Sequence, residues 1–285
     1  MFHRILGTVL LAAGLLYAAV ILWTAWRRRA DLRAETGSLP LIAGLEVLIY
    51  IAASLGISDY LLNTLTFKQG NFAEDKQLPG TLVACGLVPG AIIAYSLLQA
   101  DTPVDTGSLL ACGTCVIAGS VTGARLVGRF DGKRIKSIMR AALVCTFVIL
   151  IARMFLSAGA AGTAMGLSFP KLHIAAVLCF LSGVVNMFGI PMKPTWTALF
   201  LVLGLSPIAV LTMVLVLGAL SPLAGGISVL RGGLYHRKMV LCATLFGSLG
   251  SLLGTLFAVS LPAAVLNILL LMVMFIAIVT MFRSR

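Results

Sequence analysis

Lys193 and Asp59 are the residues whose type and position most suggest chemistry. Each lies in a short polar interruption of a long apolar run: Gly56-Ile57-Ser58-Asp59 early in the chain, and Gly189-Ile190-Pro191-Met192-Lys193-Pro194 later. An ionisable side chain at membrane depth is costly and is a functional candidate by default. No Asp or Glu follows Asp131, so Lys193 has no carboxylate in its own half of the sequence. Its charge must be met by Asp59 or Glu46 from the first half, by an anionic ligand, or by loss of its proton. Asp59 is equally a static partner for Lys193 or a carboxylate that loads and releases a coupling ion. Glu46 is a second ion-coupling candidate.

Around these charges, a helix that stops inside a membrane exposes backbone groups that only protein or a water-filled cavity can satisfy. A freed helix N-terminus favours an anion, and Pro194 suits the first turn of a helix restarting there. Gly189, Ile190, Met192, Thr195 and Trp196, with Gly56, Ser58, Asn63 and Asn186, are therefore candidate substrate contacts. Asn186 serves equally to bridge helices, and Trp196 to pack. Pro79-Gly80-Thr81 begins another helix, either at the site or at a membrane surface. Arg153 and Lys171 flank a loop at 158–170 and are candidates for an outer mouth; snorkelling to the interface is their plainer role. Cys112-Gly-Thr-Cys115 puts two thiols on one helix face, as a thiol–disulfide relay would need, though small apolar packing residues look the same. No metal constellation, phosphate loop or nucleophile–base motif is present in the sequence. No cofactor and no enzyme activity are expected.

The elements that position these residues are membrane spans. Of 285 residues, 60% are hydrophobic and 11% charged, with a mean hydropathy of +1.09. Soluble domains carry about 25% charged residues, so this chain lacks the polar surface to face water. Seventeen of its 21 Lys and Arg fall in five patches between apolar runs, among them Arg27–Arg33, Arg125–Arg140 and Arg231–Lys238. That is the pattern of positive-inside topology, and it argues against a nucleic-acid partner for the net charge of +12.

Apolar runs of about 20 residues occur at 5–26, 79–99, 107–128, 137–157, 239–260 and 263–282. Regions 41–70 and 172–233 each break at a Gly-Ile pair and resume for only about a dozen residues, too short to cross at 1.5 Å each. If each enters, breaks mid-membrane and returns, every basic patch falls on one side, with the N-terminus outside and the C-terminus inside. Gly119-Ser-Val-Thr-Gly123 matches Gly250-Ser-Leu-Leu-Gly254 at an offset of 131, and Gly56-Ile57 matches Gly189-Ile190 at 133. The expected fold is an all-α polytopic membrane protein. It has an extra N-terminal helix and basic loop (1–40), repeat A (41–158), an outer linker (159–171) and repeat B (172–285). Each repeat is a broken, re-entrant hairpin plus three spans, and the repeats are inverted. Inverted repeats with broken helices are a recurrent design of secondary transporters.

These breaks, with Gly119-Ser-Val-Thr-Gly-Ala-Arg-Leu126 running into a basic loop, make residues 41–282 resemble the TauE/SafE-type sulfite-exporter permeases. The chain departs from that family where Ser58-Asp59 and Pro191-Met192-Lys193 replace its glycine clusters. The resemblance implies passage of sulfite, an organosulfonate or a related small anion across the inner membrane. The expected partners are that anion, the lipid bilayer and a proton or sodium ion for coupling; small-residue helix faces would permit a homodimer.

Overall fold

A computed structural model describes residues 1–70, 76–100, 102, 104–127 and 162–260. The described residues are helical, and their only extended pairing is an isolated bridge between Ala164 and Leu205. Six helices are long and apolar enough to cross a membrane, which defines a multi-pass membrane protein. The expected spans 137–157 and 263–282, and with them Arg153, lie outside the described residues.

Helix α1 (Phe2–Arg27) is followed by short α2 (Arg29–Ala34). Helix α3 (Leu39–Ser54) stops at Gly56, whose φ of +95° is a conformation that glycine adopts without strain. The Ile57 amide reaches back to the Ala52 carbonyl, closing the helix end. Helix α4 (Asp59–Gln69) then leads away from the break. Helices α5 (Leu78–Cys85) and α6 (Leu87–Gln99) run on through Gly86 as one span, and α7 (Thr106–Val127) is the next. Asp105 caps α7 by accepting from the Ser108 amide at 2.7 Å and hydroxyl at 2.8 Å. Those bonds, the amide's first, hold its carboxyl below the usual carboxylate range.

The second half opens with α8 (Phe169–Asn186), which ends before Gly189 at φ +81°. Helix α9 (Lys193–Val202) carries Pro194 in its first turn and closes at Gly204, φ +94°. Ser206 caps α10 (Pro207–Gly232), the most deeply enclosed helix; every residue from Ala209 to Leu217 is buried. Helix α11 (Arg237–Cys242), a π turn at Ala243–Gly247 and α12 (Ser248–Ser260) form the last described span.

Both broken regions fold back as expected. Lys171, in the first turn of α8, donates to the Leu203 carbonyl at the end of α9 at 2.8 Å. That end of the bundle also holds His3 against Thr106, and Asp105 against Met165. At the opposite end, Phe67 near the end of α4 stacks edge-on with His236, and Glu35, just before α3, pairs with Arg237 at 3.3 Å. The two hairpins thus enter from opposite ends of the bundle. The ten residues of α9 span about 15 Å, half of a bilayer core of about 30 Å, so α9 alone is too short to cross one.

Glycines set how the hairpins seat. A Cβ on Gly119 or Gly123 of α7 would collide with the Phe180 or Val184 backbone of α8; one on Gly250 or Gly254 of α12 would collide with the Val47 or Ile51 backbone of α3. The residues met lie nine and five positions before Gly189 in one case, and nine and five before Gly56 in the other. The two Gly-Ser-x-x-Gly segments are therefore the seats of the two broken helices, each from the opposite half of the chain.

Gly119→Ala and Gly250→Ala should each destabilise by about 1–3 kcal/mol, because the helix pair must part to admit a methyl group. Gly44→Ala, where a Cβ meets nothing within 4 Å, should be neutral or slightly stabilising. Thermal unfolding midpoints of the three variants in one detergent test this ordering.

Candidate functional site

Asp59 and Lys193 open α4 and α9, and the two breaks bring them together: Lys193 Nζ lies 2.8 Å from Asp59 Oδ1. The contact is an ion pair whose angle falls short of a hydrogen bond. The side chains are 10% and 8% exposed. Their helix positions are unequal. The N-terminus of α4 favours the Asp59 carboxylate, whereas that of α9 opposes the Lys193 ammonium, each by about 0.3–1 kcal/mol. Asp59 is thus what makes a buried Lys193 tolerable.

Two glycines make room for the pair. A Cβ on Gly86, between α5 and α6, would sit 3.6 Å from Asp59 Oδ2; one on Gly218 of α10 would sit 3.1 Å from Lys193 Cε. Gly56 and Ser58 lead into Asp59, and Gly189, Ile190 and Met192 lead into Lys193; these residues add no charge to the centre. Gly189 packs against Pro79, where its Cβ would meet Pro79 Cα at 3.1 Å. Pro79-Gly80-Thr81 in turn holds the 233–236 loop, since Thr81 Oγ1 accepts from the His236 amide at 2.9 Å. That segment therefore braces the second break while sitting against the surface loop.

Glu46, on α3, is fully buried, and Asn63 is the side chain placed to donate to it, at a geometry short of a closed hydrogen bond. Asp59 and Asn63 of α4 are near enough to act on it, and Tyr50, one turn further along α3, is within electrostatic reach of both carboxylates. Tyr50 Oη, Ser58 Oγ and Asn63 Oδ1 are likewise buried without hydrogen-bond partners. Buried polar atoms are ordinarily paired, so this concentration of oxygens beside an ion pair makes the cluster the candidate site. Taken as ionised, two carboxylates and one ammonium leave the centre negative by one charge.

Asn186 and Trp196 lie in a second network. Asn186 Nδ2 donates to Ser221 Oγ of α10 at 2.7 Å, and Ser221 meets Ser120 of α7 at 2.8 Å. Trp196 Nε1 donates to Ser182 of α8 at 2.6 Å. The protein itself thus engages the Asn186 amide and the Trp196 N–H in bridging α7, α8, α9 and α10. Thr195 is half-buried on α9. Lys171 is exposed and hydrogen-bonds the end of α9, at the far end of α8 from the break. The described cysteines are free; Cys112 is buried beside Cys179, and Cys115 is half-buried.

Tyr50, Gly86, Gly218 and Ser221 escaped the reading of the sequence. A signal for two of them was present: Gly86 and Gly218 stand 132 apart, close to the offsets of the breaks, as do Pro89 and Pro222 at 133. Comparison with protein-family models, curated proteins and solved structures found no match for this chain.

Removing one partner of a buried pair typically costs about 3–5 kcal/mol, whereas replacing both with apolar groups is near neutral. Lys193→Met and Asp59→Leu should each lower the unfolding midpoint strongly, and the double variant should recover most of the loss. A double-mutant cycle by denaturation in detergent measures the coupling; additive losses would show that the pair does not act as a unit.

Proposed function

We propose that this protein is a secondary transporter in which Lys193, Asp59 and Glu46 form the mid-membrane centre, and that it carries a small anion. The observation that supports this best is the Lys193–Asp59 ion pair, which joins the starts of the two helices that follow the breaks. A scaffold gains nothing from a lysine buried at a helix N-terminus, but a transporter can use one. Two arrangements follow. In one, Asp59 neutralises Lys193 and the centre has no call for an anion. In the other, a proton or sodium ion on each of Asp59 and Glu46 cancels both carboxylates, the pair opens, and Lys193 with the α9 N-terminus holds an anion. The coupling ions and the anion then move together. Glu46 is the second group able to hold a proton or a sodium ion beside the same centre.

Inverted repeats underlie this reading. Its supports are the exchanged glycine seats on α7 and α12, and the offsets of 131 to 133 that relate the breaks, seats, glycines and prolines. The resemblance to TauE/SafE-type permeases makes sulfite, an organosulfonate or a carboxylate the first substrates to try, and the bacterial inner membrane the proposed location. The basic end, with Arg27, Arg231 and Arg237, is proposed to face the cytoplasm.

The test is thermal stability of the purified protein against sulfite, sulfoacetate, aromatic sulfonates, thiosulfate and carboxylates. A ligand at 100 times its Kd adds about 2.7 kcal/mol. One anion class should stabilise wild type. The shift should be larger in Asp59→Asn, where one carboxylate fewer competes with the anion for Lys193, and absent in Lys193→Ala. No response from wild type or Asp59→Asn would reduce the pair to a structural contact.

A further inference from the structure

We propose that the cleft between the C-terminal ends of α1 and α10 binds the phosphate group of an anionic membrane lipid. The cleft has a volume of about 320 Å³ and is lined by Arg27, Arg28, Arg231 and Arg237 with Trp23 and Tyr235, and by no Asp or Glu. Among the described residues Arg237 pairs with Glu35 at 3.3 Å; Arg27, Arg28 and Arg231 pair with no carboxylate. Four guanidiniums facing one cavity repel one another, and an anion held among them relieves that repulsion. Guanidinium edges match phosphate oxygens two at a time.

Two of the four are already oriented. The Arg27 guanidinium stands 4.3 Å over the Trp23 ring, and that of Arg237 lies 5.7 Å over Tyr235. Stacking fixes the plane of each group and leaves its edge N–H groups to donate. The carbonyl ends of α1 and α10 work against an anion, by an effect confined to the last turn; the arginines outnumber them.

The surroundings select a lipid rather than a soluble phosphate. Trp23 is 54% exposed and Trp26 71% exposed at the end of a membrane-spanning helix, where tryptophans mark the headgroup level. Above Trp23 on the same helix face, at spacings of three and four, come Val20 and Leu16, both exposed. A phosphate seated among the arginines would lay its acyl chains along that stripe. Basic pockets between spanning helices at a membrane surface bind anionic headgroups in this way. The site stands at the bundle end, apart from the Lys193 centre, so it survives or fails independently of the transport reading.

The experiment uses the full chain, delipidated in a neutral detergent, with three probes: phosphatidylglycerol, phosphatidylcholine and inorganic phosphate. Thermal shift and native mass spectrometry report stabilisation and retained adducts for wild type, Arg27→Gln/Arg231→Gln and Arg27→Lys/Arg231→Lys. Phosphatidylglycerol alone should stabilise wild type and persist as an adduct. Each arginine removed should weaken that binding about fivefold, or about 25-fold for the glutamine pair, with the lysine pair in between. Both substituted positions are exposed, so the lipid-free midpoints should match wild type. An equal response to phosphatidylcholine, or unchanged affinity in the glutamine pair, would overturn the site. Inorganic phosphate as effective as the lipid at equal concentration would overturn the lipid assignment.

Discussion

A backbone that stops being helical inside a bundle of membrane-spanning helices must find its hydrogen bonds in protein, and the centre of this protein is organised by that constraint. Hydrocarbon offers neither donors nor acceptors. Each break must therefore be closed by its own geometry and enclosed by neighbouring helices. Positive-φ glycines at 56 and 189 turn the chain. Glycine seats on α7 and α12 bring a neighbour close enough to enclose the helix leading into each break. Once two helix starts are held at one depth, the charges on their first residues meet, and the ion pair follows from the breaks.

The pair is asymmetric in what it requires. Asp59 is welcome at a helix start and Lys193 is not, so the lysine is the group whose position demands a partner. Glu46 then exceeds what neutralisation needs. A centre composed only for stability would stop at one carboxylate, or dispense with charge altogether. The surplus acidic group, beside unpaired oxygens of Tyr50, Ser58 and Asn63, is what separates this core from a packing solution.

Much of this was legible in the residues. The two breaks could be read because Gly-Ile pairs and single charges interrupt otherwise apolar runs, and because the basic patches reconcile only if both regions turn back. The acid-free second half already limited Lys193 to Asp59, Glu46, a ligand or deprotonation, and the fold brings Asp59 to it. What each glycine faces was not legible. Gly119 and Gly250 look like general packing glycines until the register of α8 and α3 against them is known, and no local feature encodes that register. Tyr50 reads as one more aromatic residue of an apolar helix. Asn186 and Trp196 read as site residues because they flank a break, yet partners on α10 and α8 engage their donors. The π turn at Ala243–Gly247, where a Cβ on Gly247 would clash with Tyr50, depends on a contact that no stretch of α11 or α12 announces.

Helix α1 is seated against α6 from the first half of the sequence and α10 from the second. Gly14 packs against Ala91 of α6, and Tyr17 donates its hydroxyl at 2.8 Å to the Leu223 carbonyl of α10, one residue past the interior Pro222. A proline leaves its helix short of one internal bond and easier to bend there; α6 carries the matching Pro89. Helix α1 therefore packs beside both prolines along a single seam. Any change in bend at Pro89 or Pro222 is therefore felt by α1, which ties the two helices' motions together.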